Sequence, residues 1–153
     1  MNRLNDALDS SKNFLKGRNA SPSEILLLQE KFKDIKGVES LLLALQYNII
    51  GHTFKLSFAE DASKNGVSMT WLSPSGQIEE AYQFYPGIIV IKEGYIPIGE
   101  CLFGSGNPYF LKNDGDILNI YRVLHDVSDD IFTPEMVELV IPFEGLFNSI
   151  KKL

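Results

Sequence analysis

The chain has 153 residues, of which 44% are hydrophobic and 22% are charged, and its formal net charge is −6 at pH 7. This length fits one domain with a sizeable core, and the composition excludes a disordered or low-complexity chain. The single cysteine, Cys101, excludes an internal disulfide, and no apolar run approaches the roughly 20 residues of a membrane-spanning helix. Because the N-terminus is also too polar for a signal peptide, we expect a cytoplasmic protein.

Most of the negative charge lies in the C-terminal part of the sequence. Residues 113–153 carry 3 Lys/Arg against 8 Asp/Glu, a net of −5, whereas residues 1–112 carry 11 against 12, a net of −1. An acidic surface repels phosphate backbones and attracts basic partners, so we expect a protein partner and no nucleic acid. An acidic surface that only keeps the protein soluble is an equally good interpretation.

The first third of the chain has helical patterns. Leu4, Ala7, Leu8 and Leu15 predict a short amphipathic helix, which we treat as an N-terminal extension over residues 1–20. A single domain is expected to follow over residues 21–153. Ser21-Pro22-Ser23-Glu24 predicts a helix start, because Ser21 can cap the helix and Glu24 can reach back to the cap amide. After Gly37 a second apolar stretch from Leu41 to Tyr47 predicts another helix.

The middle of the chain alternates between strands and turns. Thr53 to Phe58 alternates as a half-buried strand does, and Glu60 to Ser68 is predicted to be a loop. Ser73 can cap a short helix that ends at Tyr85. Four apolar runs separated by Gly-, Asn- and Asp-bearing turns then predict an antiparallel meander. The runs are Ile88 to Lys92, Tyr95 to Leu102, Pro108 to Leu111 and Ile117 to Leu124.

The C-terminal part is predicted to return to helices. Thr133-Pro134 is interpreted as a helix start that continues through Val140, and Pro142 should end or restart that helix. A stripe from Phe143 to Leu153 predicts a terminal helix that docks on the sheet. Helices, then a sheet, then helices indicate an α+β domain.

Residues that could support catalysis or bind a cofactor are few. His125-Asp126 with Cys101 could form a nucleophile and base, but a lone cysteine inside a strand is usually structural. The Gly104-Ser105-Gly106-Asn107 turn does not open a helix as a phosphate-binding loop does. Asn113, Asp114 and Asp116 lack the glutamate that a calcium loop needs, because Leu124 stands at its twelfth position. We therefore expect no catalytic residues, no cofactor and no metal.

Several segments in this order resemble the SUKH superfamily, which includes a yeast regulator of cell-wall synthesis and many bacterial immunity proteins. The resemblance covers roughly residues 21–150 and is strongest from Trp71 to Asp126. It departs at Asn107, where many members carry an aspartate, and at Lys36-Gly37-Val38, where Leu-Pro is usual. The matching segments are Ser21 to Glu24, Trp71 to Pro74, Tyr85 to Gly87, Ile96 to Gly99, Gly104 to Leu111, His125-Asp126 and the closing helix with Phe143.

The resemblance implies a central twisted antiparallel sheet flanked by N-terminal and C-terminal helices, without catalysis. It also implies a cytosolic antidote that binds and blocks a bacterial toxin, often a nuclease, and an acidic surface suits a basic toxin domain. Glu135 and Glu138 could extend the expected binding surface. The predicted partner-binding residues are Asn107, Tyr109, Asp114, Asp116, Asp126, Asp129 and Asp130.

Two other functions remain open from the sequence. A regulatory scaffold would bind cellular proteins other than toxins, as the eukaryotic member of the family does. An enzyme would use His125. The five tyrosines on or near the predicted sheet could serve either a core or an interface, because tyrosine combines a large apolar ring with a polar tip.

Overall fold

The computed structural model describes residues 2–57, 60–62, 66–102, 107–124 and 131–150. Its strands form one six-stranded antiparallel sheet in the order β1-β2-β3-β4-β5-β6, with helices before, within and after it. The predicted α+β class is confirmed. The helices are α1 (Asn2–Ser11), α2 (Pro22–Lys31), α3 (Val38–Ala44), α4 (Pro74–Tyr82), α5 (Gly87–Val90) and α6 (Phe143–Ile150). The strands are β1 (Thr53–Leu56), β2 (Val67–Trp71), β3 (Ile96–Cys101), β4 (Tyr109–Asp114), β5 (Ile117–Val123) and β6 (Val137–Pro142). Short 3₁₀ turns span Lys12–Phe14, Ile91–Glu93 and Pro134–Met136.

Two predicted helix starts have the expected caps. The Ser21 hydroxyl accepts a hydrogen bond from the Glu24 amide, and the Glu24 carboxylate accepts one from the Ser21 amide. The Ser73 hydroxyl accepts from the Gly76 amide in the same way at the start of α4. Each cap satisfies an amide that the first turn of a helix leaves without an internal partner.

The main hydrophobic core lies between one face of the sheet and the helices. Trp71, Phe54 and Phe147 are among its largest buried side chains, and Leu4 and Leu8 of α1 belong to it as well. The segment that follows α1 is also tied to the domain, because the Arg18 and Ile50 backbones exchange two hydrogen bonds of 2.9 Å. Residues 2–20 are therefore part of the same core as the rest of the domain.

A second, smaller core covers the opposite face of the sheet. Successive residues of a strand point to opposite faces, so Tyr109 and Leu111 of β4 enter the main core while Phe110 enters the second one. The members of the second core are Val90, Tyr95, Phe110, Val123 and Met136. Much of β4 and β5 is consequently buried on both sides.

Three secondary-structure predictions are wrong. The run from Ile88 to Lys92 forms α5 and a 3₁₀ turn instead of a strand, and it covers the second core. The predicted loop ends before Val67, where the alternating Val67, Met69 and Trp71 form β2. Thr133-Pro134 opens only a 3₁₀ turn, after which the apolar residues of β6 pair with β5. Phe58 and Leu153, predicted at the ends of a strand and a helix, lie outside the described residues.

Candidate functional site

The predicted binding residues do not all lie together. Asp114 and Asp116 lie at the turn that joins β4 to β5, whereas Asn107 precedes the other end of β4. The five steps along β4 from Tyr109 to Asp114 correspond to about 17 Å at the usual rise of a strand. Asp126, Asp129 and Asp130 lie outside the described residues. The described members of the predicted set therefore lie at two opposite ends of the β4–β5 hairpin.

Tyr109 is not a surface residue. It is completely buried, its hydroxyl accepts a hydrogen bond of 3.3 Å from Arg122, and the guanidinium carbon lies 5.2 Å from its ring centroid. Burial raises the pKa of Tyr109 to about 12, although the hydrogen bond and the charge of Arg122 act in the opposite direction. The prediction that Tyr109 contacts a partner is wrong, because the strand is covered on both faces.

The other residues near that end of the sheet are more accessible. Asn107 is half-buried, Glu135 is exposed, and Glu138 is half-buried with a carboxylate oxygen 3.6 Å from Nη1 of Arg122. Glu138 thus contributes to the charge balance around Arg122. Of this group, Glu135 presents the most accessible carboxylate.

The exposed carboxylate of Asp114 is held in a fixed orientation. Its Oδ2 atom accepts a hydrogen bond of 2.6 Å from the Tyr121 hydroxyl and one of 2.9 Å from the Asn119 amide. Burial, and then the hydrogen bond to Asp114, raise the pKa of Tyr121, so the phenol remains a donor. Because both bonds use Oδ2, Oδ1 keeps its capacity to accept a hydrogen bond from a partner.

Asp116 lies on the other side of the same turn, at the edge of a cleft of about 940 Å³. We call the two-residue turn and its flanking residues, Asn113 to Leu118, the hairpin tip. The cleft separates this tip from the α2–α3 connection and from the start of α6. Its walls comprise Arg3 and Leu4 of α1, residues 33–40 and Leu43, residues 113 and 116–118, and Pro142 to Glu144.

At Gly37 the α2–α3 connection comes close to the hairpin tip. Its φ of +97° lies in the left-handed region, which glycine adopts without steric cost. A Cβ atom at this position would lie 2.8 Å from Cδ2 of Leu118 and 3.5 Å from Cβ of Asn113. Gly37 therefore allows the α2–α3 connection to approach Leu118 and forms part of one wall of the cleft.

The border of the cleft carries both signs of charge. Arg3 pairs with Glu144 at 3.2 Å, and Asp116, Lys33 and Lys36 also line the cleft. Apolar surface is available as well, because the Ile117 side chain at the hairpin tip is 56% exposed. An exposed aliphatic group beside charges of both signs offers apolar contact area with a polar rim, as protein interfaces do.

The sequence analysis identified the carboxylates of the hairpin tip but not the residues of the α2–α3 connection that also line the cleft. The turn chemistry of Asn113-Asp114-Gly115-Asp116 was a direct signal for an exposed tip, but nothing near it indicated that Lys33 to Ser40 would face it. Gly37 is the sequence feature that could have indicated this contact, since a glycine between two helical stretches often marks a turn or a close approach of two segments. The long-range contact itself depends on tertiary packing.

The residues named for the enzymatic alternative are described only in part. Cys101 is half-buried at the end of β3, and His125 lies outside the described residues. In the ranges that the structure covers, no three His, Cys, Asp or Glu side chains converge as a metal site requires.

Among the helices of the described residues, none has the length and apolar character that crossing a membrane requires.

Comparison of the chain with protein-family models, with curated proteins and with solved structures gives no match.

Proposed function

We propose that this protein is a non-enzymatic protein-binding domain whose hairpin tip contacts the partner. The observation that carries the proposal is the exposed tip itself. Asp114 is oriented by Tyr121 and Asn119 at 2.6 Å and 2.9 Å, and Asp116 borders the cleft of about 940 Å³. Carboxylates held in place before binding lose little conformational freedom in a complex, which favours affinity.

Within this class, an immunity protein that binds and neutralises a cognate bacterial toxin is the function we propose. The support is the acidic C-terminal part of the sequence, with 8 Asp/Glu against 3 Lys/Arg in residues 113–153, and the resemblance to SUKH proteins. A basic toxin domain, such as a nuclease, would be attracted to the acidic tip, and its active site would be blocked by the bound domain. The domain itself would perform no chemistry.

The first test is co-expression with the toxin-like product of a neighbouring gene. We expect a stable complex, loss of the toxin's activity in the complex, and protection of the host cell. A regulatory scaffold is the alternative: an isolated gene without a toxin neighbour and a complex with another cellular protein would favour it. Neither a complex nor protection would contradict the immunity function.

A charge reversal tests the hairpin tip itself. We expect Asp116→Lys to slow association about tenfold at low salt and to flatten its salt dependence, because electrostatic steering depends on charge at the contact surface. Glu30→Lys is the matched control, since Glu30 is an exposed residue of α2 outside the cleft and the substitution makes the same change in charge. Stopped-flow association rates at several salt concentrations measure both effects. Equal slowing by the two variants would remove the tip from the contact surface.

A further inference from the structure

The connection between α4 and α5 carries an exposed apolar surface that is separate from the hairpin tip. Four large side chains within seven residues are exposed there, although large apolar groups on a soluble monomer are usually scattered singly. We call this set the aromatic patch. Its members are Tyr82 (46% exposed), Phe84 (52%), Tyr85 (36%) and Ile88 (37%).

Two contacts restrict part of the aromatic patch. The Tyr82 hydroxyl donates to the Lys31 carbonyl at 2.8 Å, and its ring stacks on Phe32 with centroids 6.0 Å apart. The Ile88 amide donates to the Phe84 carbonyl at 3.0 Å, which places these two side chains one helical turn apart. Large aromatic side chains that are already ordered can be buried by a partner at small entropic cost.

Carboxylates border the patch on the side of α4 and β3. Glu79 and Glu80 occupy the last turn of α4, and the backbone of Glu80 is in direct contact with Gly87, the residue before Ile88. Burial raises the pKa of Glu80, and the negative charge of Glu100 on β3 raises it further. Lys31 adds one positive charge on the side of α2 and leaves an excess of negative charge.

The nearest basic residue further along the chain faces elsewhere. Lys92 lines a second, narrower cleft of about 240 Å³ together with Lys36 and Lys112. Among the ion pairs of the described residues, none joins it to Glu79, Glu80 or Glu100. A second copy of the protein would bring the same excess of carboxylates, so charge argues against self-association through this surface.

We propose that the aromatic patch is a second docking surface, which takes a partner segment that presents apolar side chains bordered by lysine or arginine. The apolar groups of the partner would cover Phe84 and Ile88, and its cations would lie against Glu79, Glu80 and Glu100. An amphipathic helix with a basic polar face has this chemistry, and recognition of such a helix by an apolar surface is a common binding mode.

The probe for this proposal is a synthetic amphipathic helical peptide with leucines on one face and lysines on the other. We expect saturable binding, with NMR chemical-shift changes concentrated in residues 79–88 and at Glu100. A peptide of the same design with glutamate in place of lysine should bind at least about tenfold more weakly, because it adds like charge to an acidic border. Equal binding of both peptides, or shift changes elsewhere, would overturn the proposal.

Two variants locate the contact. Phe84→Ser should weaken binding of the lysine peptide about tenfold. Phe14→Ser is the matched control, because Phe14 is another exposed phenylalanine, at 45%, in the 3₁₀ turn after α1, and it should change binding by less than about twofold. Equal effects of the two variants would indicate nonspecific binding. Sedimentation of the free protein completes the test, since a dimer that Phe84→Ser dissociates would show that a second copy covers the patch.

The outcome is independent of the function proposed for the hairpin tip. None of these variants changes a residue of the tip or of the larger cleft. Failure of the peptide to bind leaves the Asp116→Lys experiment unaffected, and an unaltered association rate for Asp116→Lys leaves the aromatic patch unaffected.

Discussion

The two ends of the β4–β5 hairpin place charged residues in opposite environments. At one end Arg122 lies beside Asp61 at 3.1 Å, and their side chains are 5% and 0% exposed. At the other end Asp114 and Asp116 are exposed at the hairpin tip. Both members of a buried ion pair are needed for stability, because removing one partner leaves the other charge in a medium of low polarity. An exposed carboxylate contributes little to stability and is available for recognition.

The buried end connects segments that are far apart in the sequence. Nη2 of Arg122 donates to Asp61 Oδ2, to the Gly66 carbonyl at 2.7 Å and to the Tyr109 hydroxyl at 3.3 Å. Asp61 and Gly66 belong to the connection between β1 and β2, and the amide of Ala62 in the same connection donates to the Val140 carbonyl of β6 at 2.7 Å. Arg122 therefore helps to hold this connection against the last three strands of the sheet.

The same substitution at the two ends should have very different effects on stability. We expect Asp61→Ala to lower the free energy of unfolding by roughly 3–5 kcal/mol, because it leaves Arg122 buried without this carboxylate. Asp116→Ala should change it by less than about 0.5 kcal/mol, as is usual for an exposed position. Urea unfolding, followed by the fluorescence of the buried Trp71, measures both. Similar losses for the two variants would contradict the comparison.

A double variant separates the loss of the ion pair from the loss of packing. Asp61→Ala combined with Arg122→Met removes both charges and keeps an apolar chain in place of the guanidinium. It should be more stable than Asp61→Ala alone, because no unpaired charge remains buried. A double variant less stable than either single variant would mean that the other contacts of Arg122 dominate.

The sequence predicts those parts of the fold whose causes are local. Ser21 with Glu24, and Ser73, identify helix starts because a cap needs only residues three positions away. The α5 region and β6 were mispredicted because short apolar runs fit either a helix or a strand, and tertiary packing decides between them. The pair of Arg122 and Asp61 could not be predicted, since 61 positions separate them and nothing local links them.

The candidate site was predicted in part for the same reason. Asp114 and Asp116 were placed correctly in an exposed turn because turn residues act locally. Tyr109 was misplaced because the alternation of one strand does not reveal that helices and loops cover both faces of the sheet. The α2–α3 wall of the cleft and the exposure of Tyr82 and Phe84 likewise depend on how distant elements pack.

A substitution at Gly37 tests how the fold supports the hairpin tip. Gly37→Ala should lower the free energy of unfolding by about 1–3 kcal/mol, because it forces a non-glycine residue into a left-handed conformation and crowds Leu118. Gly51→Ala is the matched control: Gly51 has a φ of +86°, but a Cβ atom there would have no neighbour within 4 Å. We expect a smaller loss for Gly51→Ala and NMR shift changes at Asn113 and Leu118 only for Gly37→Ala. Equal losses and no shift changes would show that the contact with Leu118 is unimportant.

The smallest expected effect concerns Tyr109 and alkaline pH. Tyr109→Phe should lower the free energy of unfolding by about 0.5–1.5 kcal/mol at neutral pH, because Arg122 loses one hydrogen-bond acceptor.

The pKa of the Tyr109 phenol rises from 10.0 to about 12 in the folded protein. The folded state therefore keeps the proton while the unfolded state releases it, and the stability linked to Tyr109 is present below pH 10 and lost as pH rises towards about 12. The stability difference between wild type and Tyr109→Phe should thus shrink in urea unfolding measured from about pH 8 to about pH 11. A stability difference that stays constant over this range would mean that the Tyr109 hydroxyl ionises as readily in the folded protein as in the unfolded chain. The complete burial of Tyr109 argues against that outcome.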